Sequence, residues 1–152
     1  MFCVNVEGAV FRKGKWLIIE RSKKEGHAGG LLSFPGGTVE KEGNSKDLLE
    51  ITLTRELSEE VGVTIHSEVV HVNNTSFVLE DGTPVLNIVF LCEIAEGEPF
   101  PKAVDEVVNV YWMTEEEIME HQGSPVWLKD SIMKAKSLLK RSHSVDGISL
   151  IH

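Results

Sequence analysis

Cysteine is scarce: there are two in 152 residues, Cys3 and Cys92, each inside an apolar strand-like run. That rules out a disulfide scaffold or a cysteine-rich metal site, and predicts free thiols in a reducing compartment. No apolar run reaches the ~18–20 residues of a membrane span. The opening MFCVNVEGAVF lacks a basic stretch followed by a cleavage pattern, so a cytoplasmic location is expected. Basic residues are few relative to acidic ones, 15 against 24, for a formal net charge of −9. Such a chain repels a phosphate backbone, and general nucleic-acid binding is not expected. A small phosphorylated ligand is still allowed where cations bridge it to the protein. The six histidines show no zinc-ligand spacing. Asn73-Asn74-Thr75 matches a glycosylation acceptor in a chain with no secretory context. Repeats and low-complexity tracts are absent.

Hydrophobic residues at 41% and charged residues at 26% suit one globular domain, and the length suffices for a core without staples. Residues 2–11 and 15–20 read as strands joined by a tight Lys13-Gly14 turn. Residues 22–38 carry Gly26, Gly29, Gly30, Gly36, Gly37 and Pro35, which predicts a long ordered loop of the kind that is often functional. Residues 46–61 read as a helix capped by Asn44 or Ser45 and ended by Gly62. Strands over 64–79 and 84–94 flank Asp81-Gly82, a hairpin signal. A further strand is expected over 107–113, then a capping box at Thr114 with Glu117, then a last helix over 126–140. The domain is placed at 1–140 and a C-terminal tail at 141–152. Ile148, Leu150 and Ile151 predict that this tail packs against its own domain or a neighbouring copy.

The helix over 46–61 carries the densest chemistry. Leu49, Leu53, Leu57 and Val61 form an apolar stripe at a spacing of four. Glu56, Glu59 and Glu60 share an arc of about 100° whose far end overlaps that stripe. Like charges this close raise at least one pKa unless a cation balances them. They also stand at the helix C-terminus, where the dipole disfavours negative charge. An acidic helix face is usually just solvated. Here the placement is unfavourable on both counts and follows a Pro-Gly-Gly loop, which points to an oxygen-ligated Mg²⁺ or Mn²⁺. Arg55, four residues before Glu59, is expected to pair with it.

From Gly37 to Val63 the chain resembles the Nudix box, G-x5-E-x7-R-E-U-x-E-E-x-G-U, with U a bulky aliphatic. Arg55, Glu56, Leu57, Glu59, Glu60, Gly62 and Val63 match its second half. Phe34 to Glu40 resembles the start of the family's loop. Counting back from Arg55 places Asp47 where the family has its first Glu, and the gap from Gly37 is four residues too long, an insertion near Glu42–Ser45. The resemblance implies an α/β fold, the Nudix-type α/β/α sandwich with a mixed central sheet, with helix 46–61 on one face and the last helix on the other. It implies hydrolysis of a diphosphate linked to another moiety by water attack at phosphorus, with Mg²⁺ or Mn²⁺ as cofactor. Glu59 and Glu60 are then metal ligands, and Glu56 is a third ligand or the base. The Gly37 carbonyl is a further ligand and Arg55 orients a carboxylate. Glu106 is the candidate ligand from outside the box, with Glu93 and Asp105 behind it.

Arg21 is expected to meet substrate phosphates, and Phe34, Trp112 or Trp127 to stack on a base, with Phe34 the first choice. Leu32 stands where many family members carry Trp. The expected partner is a small nucleotide-type substrate: a nucleoside triphosphate, ADP-ribose or another nucleoside-diphosphate conjugate. A homodimer stays open. The competing readings are a non-catalytic nucleotide-sensing module on the same fold, and an isomerase, which would need a suitably placed cysteine.

Overall fold

The computed structural model describes residues 1–23, 29–41 and 43–146, with side chains to residue 141. The strands are β1 (Cys3–Arg12), β2 (Lys15–Arg21), β3 (Leu32–Ser33), β4 (Gly36–Thr38), β5 (Thr64–Ile65), β6 (Val70–Val78), β7 (Pro84–Cys92), β8 (Ile94–Glu96) and β9 (Val107–Met113). The helices are α1 (Leu48–Val61), α2 (Glu115–Glu120) and α3 (Val126–Asp146). Seven strands form a mixed sheet in the order β3-β2-β1-β7-β6, with β4 also on β1 and β9 also on β2. The β1–β7 pair is parallel and the other pairs of this sheet are antiparallel. A separate two-stranded ribbon joins β5 to β8.

Strand alternation divides the core in two. On β2, Leu17 and Ile19 face the α1 side and join Val6, Leu53, Leu57 and Val61. Trp16 and Ile18 face the other side and join Leu128, Ile132 and Ala135 of α3. The sheet therefore lies between α1 and α3, the expected sandwich. Lys13 and Gly14 both take positive φ, 51° and 80°, as a primed hairpin turn requires. Thr114 and Glu117 form the expected capping box.

The structure departs from the sequence reading in four places. The run 64–79 is two strands, because the chain leaves one sheet after Ile65, where His66 N–H donates to Glu93 O at 2.9 Å, and joins another at Val70. Part of the glycine-rich stretch is strand, β3 and β4, since its backbone pairs with β2 and β1. Helix α1 starts at Leu48, capped by Asp47 in a left-handed conformation with no side-chain capping bond, not by Asn44 or Ser45. Helix α3 runs six residues past Lys140, to Asp146. Ile148, Leu150 and Ile151 lie outside the described residues.

Gly8 lets α1 approach the sheet: a Cβ there would meet Cys92 Sγ at 2.9 Å and Leu57 Cδ2 at 3.1 Å. Leu57 is fully buried at this contact. Leu57→Ala is expected to cost about 2–5 kcal/mol, read from the denaturant midpoint, because a close-packed sheet–helix joint cannot collapse into the space.

Candidate active site

Two pieces of chain converge on the C-terminal half of α1. The first is the loop Phe34-Pro35-Gly36-Gly37. Gly8 N–H donates to Pro35 O at 2.9 Å, and β4 pairs with β1 through Glu7↔Gly36 and Val6↔Gly37. A Cβ on Gly36 would run into the Val6 carbonyl, and one on Gly37 into the Glu56 carboxyl. The two glycines are thus required by close approach, one to the sheet and one to the helix. The second piece is the segment before β9, which takes up the carbonyls left open at the helix end. Phe100 N–H donates to Val61 O at 3.1 Å, and Lys102 N–H to Glu60 O at 3.1 Å. Lys102 Nζ donates to Ser58 O at 3.3 Å, so a cation serves the helix C-terminus from outside the helix.

Glu60 sits where these pieces meet. It is 2% exposed, and its Oε1 accepts the Gly36 N–H at 2.9 Å. Burial pushes its carboxyl up to about 8, more than the Gly36 bond and nearby Arg21 lower it; Glu106 and Glu56 push the same way as burial. Glu56, beneath Gly37, is also raised, first by desolvation and then by Glu59 and Glu106, against the pull of Arg55. Glu106 is brought close by backbone pairing: Ser22 N–H donates to its carbonyl at 2.8 Å, one residue after Arg21. The structure therefore brings together Glu56, Glu59, Glu60, Glu106, Gly37 and Arg21.

Arg55 reaches the loop as well as its own helix. Its Nη2 donates to Glu56 Oε1 at 3.3 Å and to Thr38 O at 3.4 Å, and Nη1 lies 3.8 Å from Glu40. Glu40, Glu56 and Glu59 all act on it, and the loop passes over the Glu56 side of the helix. Glu40, ahead of the insertion, is a loop acid beside Arg55, while Asp47 is left as an exposed helix cap. The described residues of the insertion, Gly43 to Ser45, are exposed. Phe34 is a correction. It is fully buried and packs against Trp16 at 6.3 Å, so it belongs to the core and not to an exposed stacking surface. Trp112 lies under the Arg12 guanidinium at 4.3 Å. Trp127, stacked on Phe77 at 5.9 Å, lines a cavity with Arg21 and Glu7. Glu7 escaped the sequence reading because one acid in an apolar strand gives no pattern; desolvation pushes its carboxyl up to about 7.

The donor set fits a hard divalent cation: several carboxylate oxygens, and one carboxyl kept from water with a single short bond to spend. Among the described residues no three acidic, His or Cys side chains yet enclose a common point.

The NUDIX domain profile matches residues 1–133, and the chain belongs to the Nudix family, whose enzymes are pyrophosphohydrolases. No curated protein matches the sequence. Among solved structures it is similar to the MutT NUDIX hydrolase of Burkholderia pseudomallei, with a TM-score of 0.75 and 21% identity over 88% of this chain and 98% of that one. It is also similar to the NUDIX domain of Shewanella oneidensis NrtR complexed with ADP ribose, at TM-score 0.69 and 15% identity over 90% and 89%. An ADP-ribose pyrophosphatase of Streptococcus suis aligns at TM-score 0.60 and 18% identity over 90% and 92%. At these identities the likeness is one of fold. No described helix is long and apolar enough to cross a membrane.

A buried acid with a raised pKa keeps its proton in the fold after the unfolded chain has lost its own. Its contribution is full below about pH 4.5 and falls away as pH rises toward about 8. The metal-free protein should lose stability over that window. Glu60→Gln keeps an acceptor for Gly36 and removes the charge, so its melting temperature is expected to exceed wild type at pH 8 and to match it near pH 4.5. An unchanged pH profile in the variant would show that Glu60 is not the titrating group.

Proposed function

We propose that the protein is a metal-dependent hydrolase that cleaves the diphosphate bond of a nucleoside diphosphate linked to another moiety, by attack of water at phosphorus. The observation that carries this reading is the Glu60 carboxyl, buried against the Gly36 N–H with Glu56, Glu106 and Arg21 around it. A buried acid of this cost needs a compensating partner, and the oxygen-only surroundings select Mg²⁺ or Mn²⁺.

Glu56, Glu59, Glu60, Glu106 and the Gly37 carbonyl would hold the cation. When bound, it would neutralise phosphate charge and make water a better nucleophile. The rest of the chemistry lies with the chain. Glu56 and Glu59 are the groups available to take the proton of the attacking water. Arg55 fixes the Glu56 carboxylate through the 3.3 Å contact and ties it to Thr38 O in the loop. Arg21, next to Glu60, offers a positive charge to a substrate phosphate. The ligand is a small nucleotide and not a nucleic acid, in line with the net charge of −9, and the setting is cytoplasmic.

The non-catalytic module would be favoured by loss of box acids, and the helix acids Glu56, Glu59 and Glu60 are all present. The isomerase reading needs extra catalytic groups, such as a suitably placed cysteine, and Cys3 is a partly buried residue at the start of β1. Cys92 is buried, with its thiol pushed up to about 12, which makes it a poor nucleophile.

Screening nucleoside triphosphates, ADP-ribose and related conjugates with Mg²⁺ and with Mn²⁺ for phosphate or pyrophosphate release tests the reading. Glu59→Gln is expected to lower turnover by roughly 10²-fold or more. It should also shrink the rise in melting temperature that the cation gives wild type. Near-normal turnover with an undiminished melting shift would contradict the assignment. In a separate variant, Gly37→Ala should displace the Glu56 carboxyl and lower turnover while leaving the fold's far-ultraviolet signature intact.

A further inference from the structure

Helix α1 ends on Gly62, left-handed at φ 73°. The Gly62 N–H donates to Ser58 O at 3.1 Å, so the helix closes part of its own end. The rest is closed from a distant part of the chain. Phe100 N–H takes the Val61 carbonyl, and Lys102 and Ala103 both donate to Glu60 O, at 3.1 and 3.3 Å. The Phe100 ring lies over Gly62, where a Cβ would collide with it. Lys102 adds its ammonium on Ser58 O at 3.3 Å.

Ala103 works in both directions. Its N–H grips Glu60, and its carbonyl accepts the N–H of Glu106 and of Val107, each at 2.9 Å. One residue thus joins the backbones of two acids that lie far apart in sequence. The sheet alone is a loose guide for Glu106. That residue lies just ahead of β9, whose pairing with β2 passes from Arg21↔Val107 to Glu20↔Asn109 and leaves Val108 as an extra residue. A bulge bends its strand and interrupts the ladder. Nor does burial hold the turn: Val104 and Asp105, between Ala103 and Glu106, are exposed, Val104 by 75%. What holds Glu106 is the Ala103 carbonyl on one side and Ser22 N–H on the other. Its carboxylate acts on both Glu56 and Glu60.

We propose that Ala103 is a positioning residue: gripped by the Glu60 carbonyl and gripping the Glu106 N–H, it sets the separation of the two carboxyl groups that would share the cation. A small divalent cation tolerates little error in the placement of its oxygens. Groups that orient ligands therefore matter almost as much as the ligands. Here the orienting group is a main-chain clip, and it lies outside the Nudix box. The inference rests on the hydrolase reading and adds to it how a ligand from a separate segment is brought to the helix.

The test lengthens the clip by one residue and asks whether the effect runs through Glu106. A glycine is inserted between Val104 and Asp105, and Mn²⁺ affinity is measured by calorimetry in the wild-type and Glu106→Gln backgrounds. The insertion is expected to weaken Mn²⁺ binding roughly 10–100-fold in wild type. In Glu106→Gln it should add less than about 2-fold, since the carboxylate it misplaces is already gone. A glycine inserted between Gly97 and Glu98, ahead of the clip, should also change affinity by less than about 2-fold. If the first insertion prevents folding, Ala103→Pro, which removes the donor to Glu60 without lengthening the chain, goes through the same cycle. In metal-free wild type, hydrogen exchange should find the Ala103 and Glu106 amides protected by roughly 10-fold or more over an open chain. The proposal is overturned if those amides exchange freely, or if the insertion leaves Mn²⁺ affinity unchanged. It is also overturned if the insertion weakens binding equally in both backgrounds. Unchanged affinity in Glu106→Gln alone would sink the proposal and leave the hydrolase reading standing. Wild type that binds no Mn²⁺ would contradict the hydrolase reading itself, and the proposal with it.

Discussion

One carboxyl group held out of water organises the site. The Glu60 side chain lies at the joint between α1 and the Pro-Gly-Gly loop, with one oxygen on the Gly36 N–H. An ionised carboxylate there would be costly, so the fold keeps it protonated near neutral pH. The surrounding arrangement serves this joint. Gly36 can approach only because it has no side chain to meet Val6 O, and Gly37 only because it leaves room for Glu56. The segment Phe100–Ala103 closes the helix end and carries the chain on to Glu106.

The sheet gives this cluster its two neighbours. On the α1 side, Leu53, Leu57 and Val61 fix the helix against β1 and β2. That sets the rotation of Glu56 and Glu60, one helical turn apart. On the opposite side, odd-numbered residues of β1 place Asn5 and Glu7 toward the cavity beside Trp127. Arg21, at the end of β2, acts on both Glu60 and Glu7 and so links the two regions. Strand alternation alone thus separates the acidic cluster on the α1 face from the cavity on the α3 face.

What was legible in the sequence follows from how local each signal is. The acids of α1, the Lys13-Gly14 turn and the Thr114 capping box are set by neighbours within a few residues, and each stands where the pattern placed it. Phe34 was misjudged because a lone aromatic beside a functional loop reads the same whether it faces ligand or core; burial against Trp16 decides it. At Arg55 helix spacing points to Glu59, while Glu40 and Glu56 become neighbours only because the loop crosses above the helix. Asn5, Asn87 and Ser33 gave no signal at all. They lie on three strands far apart in sequence, and only sheet register brings them to one cavity.

The account's central claim is that Glu60 holds a proton in the metal-free fold and surrenders it to a divalent cation. Proton release on Mg²⁺ binding at pH 7, measured by calorimetry in buffers of different ionisation enthalpy, tests it most directly. Roughly one proton should leave per cation bound to wild type, and clearly less in Glu60→Gln. Cation binding with no proton release, or with equal release in the variant, would contradict the claim.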